Sequence, residues 1–225
     1  IKLLSYNIMS FGNMKKENGQ NPILNYIKNS NADIVCMQEY AGSETAKIHL
    51  SNKEIRQALK DYPYHNIKQV GKTGAGSQLA CYSKFPILSA RMLDYRSNYN
   101  GSMVYEIKIG KDTVLLINNH LESNKLTRED KVVYEDMLKD PKAGKVKSGV
   151  RQLVNKLAEA SAIRSAQART IAREIAHSPY PSVIVCGDFN DSPISYAHRV
   201  ISQDMDDAFT ESGCGLGISY NPVSY

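Results

Sequence analysis

Five polar residues in this sequence share one local setting, because each ends an apolar run of strand length. Asn7 follows Lys2-Leu3-Leu4-Ser5-Tyr6, and Glu39 follows Asp33-Ile34-Val35-Cys36-Met37-Gln38. His120 follows Val114-Leu115-Leu116-Ile117-Asn118-Asn119, while Asp188 and Asn190 follow Ser182-Val183-Ile184-Val185-Cys186-Gly187. At a strand end a sheet can present polar side chains along one rim while the strand body stays buried. One such residue ordinarily caps a strand or turn; five at four strand ends form a constellation. Phosphoester hydrolysis calls for this kit. A hard oxygen ligand holds Mg²⁺ or Mn²⁺, which polarises the phosphoryl oxygen. A carboxylate orients or deprotonates water, and neutral amide or imidazole donors stabilise the pentacovalent centre. Glu39 is the metal carboxylate of this reading, Asp188 serves the water, and Asn7, Asn190 and His120 are the donors. Zinc hydrolase chemistry fits poorly, since the five histidines (49, 65, 120, 177 and 198) show no HxH or HxxxH spacing.

The elements that must position these residues alternate at first. Residues 2–8 read as a strand. Asn21-Pro22 opens a helix, with Pro at the first helical position and Ile23, Leu24 and Ile27 at helical spacing. Asp33–Met37 is a run of buried-strand length. A helix near 52–59 and strands near 64–67 and 78–82 follow. Segments 87–95, 103–109 and 113–119 read as successive strands, the last two joined by the hairpin signal Gly110-Lys111-Asp112. Residues 129–139 read as a short helix, 141–149 as a basic connector, 150–176 as a long helix and 182–186 as the last strand. Alternation giving way to adjacent strands argues for a layered α/β architecture, sheet on sheet with outer helices, in place of a purely parallel doubly wound sheet.

With 225 residues and 42% apolar content the chain can bury a sizeable core, and one domain spanning 1–225 is the expectation. No stretch approaches the 18 consecutive apolar residues of a membrane span, and nothing resembles a signal peptide. Localisation is left open, any leader or anchor being absent from the sequence as it stands. Cys36, Cys81 and Cys186 fall in apolar runs, which makes them small buried hydrophobes in preference to a disulfide or metal framework. The net charge of +5 is uneven: residues 139–173 carry nine Lys/Arg against two acids, leaving the remainder slightly acidic. Such a cluster suits an anionic substrate or surface, or is simply a solvated loop and outer helix face.

Taken in order, Ser5-Tyr6-Asn7-Ile8, Gln38-Glu39, Tyr82-Ser83-Lys84-Phe85-Pro86-Ile87, Asn119-His120-Leu121-Glu122-Ser123 and Gly187-Asp188-Phe189-Asn190-Asp191 resemble the endonuclease/exonuclease/phosphatase superfamily. Each motif alone is weak; their order over nearly the whole chain is strong. The resemblance implies a four-layer sandwich of two packed mixed sheets flanked by helices. It implies a Mg²⁺ (or Mn²⁺) site at Glu39 and Asn7, and contact of His120 with the scissile phosphate. Asp188 would then position the nucleophilic water, and Asn190 would bind transition-state oxygens. The HLES form of the His motif is closer to the sphingomyelinase and tyrosyl-DNA phosphodiesterase branches than to the apurinic endonucleases.

At 100° per residue the long helix gathers Val150, Leu153, Val154, Leu157, Ala168, Ile171, Ala172 and Ile175 into an apolar stripe, with Arg164 inside it and Gln167 at its edge. An Arg on an apolar face is costly unless it is paired with a carboxylate or aimed at an anion. The resemblance, in which an Arg/Gln pair lies on this helix near the site, makes Arg164 and Gln167 candidate substrate-binding residues.

The superfamily pattern finishes with an IDxI-like strand and a Ser-Asp-His segment, and neither occurs here. The expectation is a chain whose C-terminal strands are missing, in preference to a degenerate member of the superfamily, impaired as an enzyme, with a separate C-terminal fragment or a neighbouring copy completing the fold. The functional expectation is a Mg²⁺-dependent phosphoesterase acting on nucleic acid, phospholipid or inositol phosphate, with no obligate protein partner. The alternative is an inactive module that holds a phosphorylated ligand in the same groove. The absence of aromatics from 139–173 weakens a single-stranded nucleic-acid track.

Overall fold

A computed structural model describes residues 1–12, 19–41, 50–71, 78–95, 97–127, 129, 130, 132, 146–215 and 219. Among the described residues eight strands are formed: β1 (Leu3–Asn7), β2 (Ile34–Tyr40), β3 (Tyr64–Gln69), β4 (Gln78–Ser83), β5 (Ile87–Met92), β6 (Gly101–Ile109), β7 (Asp112–His120) and β8 (Ser182–Asp188). Among the described residues these α-helices accompany them: α1 (Pro22–Asn29), α2 (Asn52–Ala58), α3 (Val146–Ala176), α4 (Tyr196–Ile201) and α5 (Ala208–Ser212).

The strands make two four-stranded sheets, ordered β1-β2-β4-β3 and β5-β6-β7-β8. Both are mixed, with one parallel pair each, β1 with β2 and β7 with β8. Alternation along the strands divides the core. On β2, Val35 and Met37 face α1 and α2, where Leu24, Ile27 and Ile55 pack. Ile34 and Cys36 face the opposite way, into the space between the sheets. On β7, Leu116 enters that inter-sheet layer, while Leu115 and Ile117 meet Ala168 and Ile171 of α3 and Ala197 and Ile201 of α4. The result is helix, sheet, sheet, helix: the expected four layers. β2 is apolar on successive residues because both its faces are covered.

Local chemistry sets the element ends. Asn21 caps α1, its side-chain oxygen accepting from the Leu24 N–H at 3.0 Å, with Pro22 at the first helical position. Ser51 and Glu54 form a reciprocal capping box on α2. Gly110 turns the β6–β7 hairpin with φ of +60°. Cys36, Cys81 and Cys186 are buried and unoxidised in the inter-sheet layer, whereas Cys214 is exposed. Contact with Cys186 and Cys81, added to burial, pushes the Cys36 thiol well above the ordinary thiol range.

Several boundaries differ from expectation. β2 continues through Gln38 and Glu39 to Tyr40, β7 reaches His120 and β8 reaches Asp188, so Asn7, Glu39, His120 and Asp188 lie inside their strands, while Asn190 follows two residues after β8. The strand expected over 87–95 stops at Met92, and α3 begins at Val146, not Val150. Val154, placed in the apolar stripe of that helix, is 54% exposed, because the covered face of α3 runs through Leu153, Ala160, Arg164, Gln167 and Ile171 and leaves Val154 beside it. The short turn at Met9–Phe11 and helices α4 and α5 had no strong sequence signal. The helix expected over 129–139 falls largely outside the described residues, as do Lys139, Lys142 and Lys145 of the basic cluster.

Candidate active site

Strand register assembles the site in two halves. In the first sheet Asn7 pairs with Gln38, one residue before Glu39. In the second sheet His120 pairs directly with Asp188. Both parallel pairs finish at the same rim of the sandwich, and the halves meet there. Asn7 Nδ2 donates to Glu39 Oε1 at 3.0 Å and to Asp188 Oδ2 at 2.9 Å. His120 Nε2 stands 3.7 Å from Glu39 Oε1. Asp188 Oδ1 accepts from the Asn190 N–H at 2.9 Å, and Asn190 Nδ2 donates to the Leu121 carbonyl at 3.0 Å. The five residues picked from strand ends are thus gathered in one network, although residues 7 and 188 are 181 positions apart.

The backbone around them is held in costly shapes. A register shift between Met37 and Tyr40 interrupts the β2–β4 ladder, and Glu39 within it has φ of +52°. Asn190 has φ of +50°, and after Asn7 the chain turns through Met9, Ser10 and Phe11 at +43°, +56° and +62°. Left-handed conformations at non-glycine residues cost about 1–3 kcal/mol each and concentrate at functional sites, where a bulge re-aims a side chain. Gly187 allows β7 and β8 to close up. Its φ is +135°, and a Cβ there would lie 2.1 Å from the Asn119 carbonyl oxygen.

Beneath the site two buried amides tie the sheets together. Gln38 Nε2 donates to Asn118 Oδ1 at 2.7 Å, and Asn118 Nδ2 leans on the Met37 and Ala80 carbonyls at 3.4 and 3.3 Å. Asn119 accepts from Ser102 Oγ at 2.5 Å and donates to the Cys186 carbonyl at 2.9 Å. Sequence reasoning gave these residues no role. The signal was present, since two consecutive Asn inside an apolar strand demand partners wherever they are buried.

His120 is 4% exposed, and its Nδ1 has no hydrogen-bond partner among the described residues. Burial lowers its pKa below the ordinary imidazole value, outweighing the upward pull of Asp188, Glu39 and Glu122. The ring is therefore neutral near pH 7 and offers one N–H. Glu39, by contrast, has a side chain 38% exposed at the rim.

Two carboxylates share one amide here, and among the described residues neither Glu39 nor Asp188 pairs with a Lys or Arg. Uncompensated carboxylate oxygens fit a hard divalent cation. Among the described residues no group of three or more His, Cys, Asp or Glu forms a cage; Mg²⁺ is ordinarily bound through one or two carboxylates and keeps several waters. Asn7 turns its nitrogen to the carboxylates, its oxygen accepting from the Met9 N–H at 3.1 Å. Only an amide oxygen ligates such a cation, so Asn7 would serve as a ligand with its amide turned over.

Arg164 and Gln167 lie on α3, 4% and 1% exposed. Arg164 Nε donates to Asp191 Oδ2 at 2.9 Å, and Nη1 donates to the Glu122 carbonyl at 2.9 Å and to Asn124 Oδ1 at 2.8 Å. Gln167 Oε1 accepts from the Glu122 N–H at 3.0 Å. These polar groups engage the protein's own loops.

A family model described as Endonuclease/Exonuclease/phosphatase family matches residues 4–224. No curated protein matches the chain in sequence. Among solved structures, truncated Caenorhabditis elegans TDP2 superposes with a TM-score of 0.51 at 20% identity, over 85% of this chain and 63% of its own. Sphingomyelinase C from Streptomyces griseocarneus gives 0.56 at 19% identity, over 91% and 69%. Beta toxin from Staphylococcus aureus gives 0.56 at 18%, over 90% and 70%. The chain thus spans roughly two thirds of the length of these structures, and at such identities they speak for the fold.

Proposed function

Because the chain belongs to the endonuclease/exonuclease/phosphatase family, we propose that it hydrolyses a phosphoester by divalent-metal-assisted attack of water. The observation that carries this reading is the meeting of Glu39, Asp188 and His120 around the Asn7 amide at one rim of both sheets.

In this reading Glu39, with Asn7, holds Mg²⁺ or Mn²⁺, which when bound polarises the phosphoryl oxygen and offsets its charge. Asp188 orients the attacking water and takes its proton. Its carboxylate is held for that task by the Asn190 N–H on Oδ1, a bond that remains when the Asn7 amide turns its oxygen toward the cation. His120, kept neutral by burial, directs its N–H to a non-bridging phosphoryl oxygen. Asn190 spends one amide proton on the Leu121 carbonyl and has its second for the transition-state oxygens. The substrate is an anionic phosphoester. TDP2 of Danio rerio is described in complex with a single-strand DNA product, and other relatives are sphingomyelinases; both substrate types are therefore natural probes.

The test is a panel of 5′-tyrosyl DNA, nicked plasmid, sphingomyelin and inositol phosphates, each with Mg²⁺ and with EDTA. Turnover of at least one, abolished by EDTA and reduced about 10²- to 10⁴-fold by His120→Ala, is expected. Binding of a phosphoester without any turnover would replace the enzyme reading with that of a phospholigand-binding module.

A further inference from the structure

Glu122 lies two residues beyond His120, is 2% exposed, and has each of its polar groups held by a different side chain. Gln167 takes its N–H at 3.0 Å and Arg164 its carbonyl at 2.9 Å. Lys125 pairs with Oε1 at 2.6 Å, and Ser97 donates to Oε2 at 2.8 Å. A loop residue bound at four points has little freedom left. The same Arg164 guanidinium also binds Asp191, the neighbour of Asn190. One side chain of α3 therefore grips both the loop after β7 and the loop after β8.

These two loops carry the groups that face the phosphoester. Leu121 joins them a second time, its N–H donating to the Asp188 carbonyl at 2.9 Å while its own carbonyl accepts from Asn190. Asn100 Nδ2 donates to that same carbonyl at 2.7 Å. None of the Arg164 or Gln167 bonds reaches a reacting atom. All but the one to Asn124 end on residues one or two positions from one that does.

We propose that Arg164 and Gln167 are positioning residues, a clamp from α3 that fixes His120 and Asn190 relative to each other; this rests on the function proposed above. The planar guanidinium suits the task. Its donors point in fixed directions, so Nε can hold a carboxylate while Nη1 holds a carbonyl and an amide oxygen. Misplacing catalytic groups by about 1 Å costs on the order of 10²-fold in rate, so loosening the clamp lowers kcat while leaving KM, set by groups at the rim, near its wild-type value.

Three variants test this: Gln167→Met, Arg164→Lys and Asp191→Asn. Gln167→Met is the most telling. It keeps the buried volume, loses the bond to Glu122, and also removes an Nε2 that has no partner among the described residues. The Glu122 N–H left without its acceptor lowers the melting temperature modestly, and the variant should stay folded. Its kcat should fall about 10²-fold at unchanged KM, a loss that a merely structural role in a stable variant does not produce. Hydrogen exchange at the Leu121 and Glu122 amides, read without any substrate, should quicken in Gln167→Met and Arg164→Lys while the amides of mid-β7 stay protected. Wild-type kcat in folded Gln167→Met and Asp191→Asn overturns the proposal, as does unchanged exchange at Leu121 and Glu122. If wild type itself turns over no phosphoester while those two amides loosen in the variants, the hydrolase reading fails and the clamp stands.

Discussion

The side-chain amide of Asn7, the last residue of β1, donates to the carboxylate of Asp188, the last residue of β8, at 2.9 Å. The same nitrogen donates to Glu39, so a single neutral group keeps two carboxylates together. Replacing it by Asn7→Asp puts a third acid where the donor stood. The variant should melt below wild type in EDTA, and Mg²⁺ should raise its melting temperature by more than it raises that of wild type. A cation at 100 times its dissociation constant contributes about 2.7 kcal/mol, a shift that calorimetry resolves. Equal metal-induced shifts in the two proteins would place the cation elsewhere.

Glu39→Gly separates the side chain from the backbone it sits on. Glycine adopts the φ of +52° found at Glu39 without the cost borne by other residues, so the variant should keep or raise its melting temperature. Its affinity for Mg²⁺ or Mn²⁺, measured by titration calorimetry, should fall by more than the roughly 10- to 100-fold typical of outer ligand-supporting groups. Undiminished affinity would remove Glu39 from the metal site.

Gly187→Ala should do the reverse. The added methyl would meet the Asn119 carbonyl oxygen at 2.1 Å, at a φ of +135°. Both the clash and the backbone strain oppose it, and a loss of about 3 kcal/mol or more in denaturant unfolding is expected. A variant of wild-type stability would mean that β7 and β8 do not approach this closely.

The fold should weaken in acid partly through Asp33. The Lys2 N–H donates to its carboxylate at 2.9 Å and Lys84 pairs with it at 3.1 Å, and these lower its pKa below the ordinary value. A depressed carboxylate stabilises the fold above its unfolded pKa of about 3.9, and that stabilisation disappears as pH falls through the folded value. The gap in melting temperature between wild type and Asp33→Asn should therefore be constant above about pH 5 and close below about pH 4. A gap that does not narrow at all as pH falls below about 4 would show that Asp33 acts through something other than its charge.

Much of this architecture was legible because alternation and strand-end polarity are local properties. Val35 and Met37 facing one way and Ile34 and Cys36 the other follow directly from a two-residue period. The gathering of Asn7, Glu39, His120, Asp188 and Asn190 was legible as positions in motifs, but their contacts were not. Which nitrogen or oxygen of Asn7 meets Asp188 depends on how two sheets pack, and no sequence period encodes that. The polar partners of Arg164 were also hidden. An Arg in an apolar stripe announces that something must compensate it; that the compensation is Asp191, Asn124 and the Glu122 carbonyl depends on loops 27 to 42 positions away. Val154 misled for the opposite reason: an apolar side chain beside the covered line through Leu153 and Ala160 widens the stripe drawn from sequence without being buried itself.

The three thiols between the sheets make the sandwich report on its own opening. Cys36 and Cys81 belong to the first sheet and Cys186 to the second, and all three are closed to solvent while Cys214 is not. A thiol reagent added to native protein should meet Cys214 at once and the others only when the two layers part. The slow phase of labelling then clocks separation of the sheets, with the fast phase as its internal reference. Because the Asn7–Asp188 bond spans the same seam, a ligand that tightens the rim should slow that clock, whatever its chemistry.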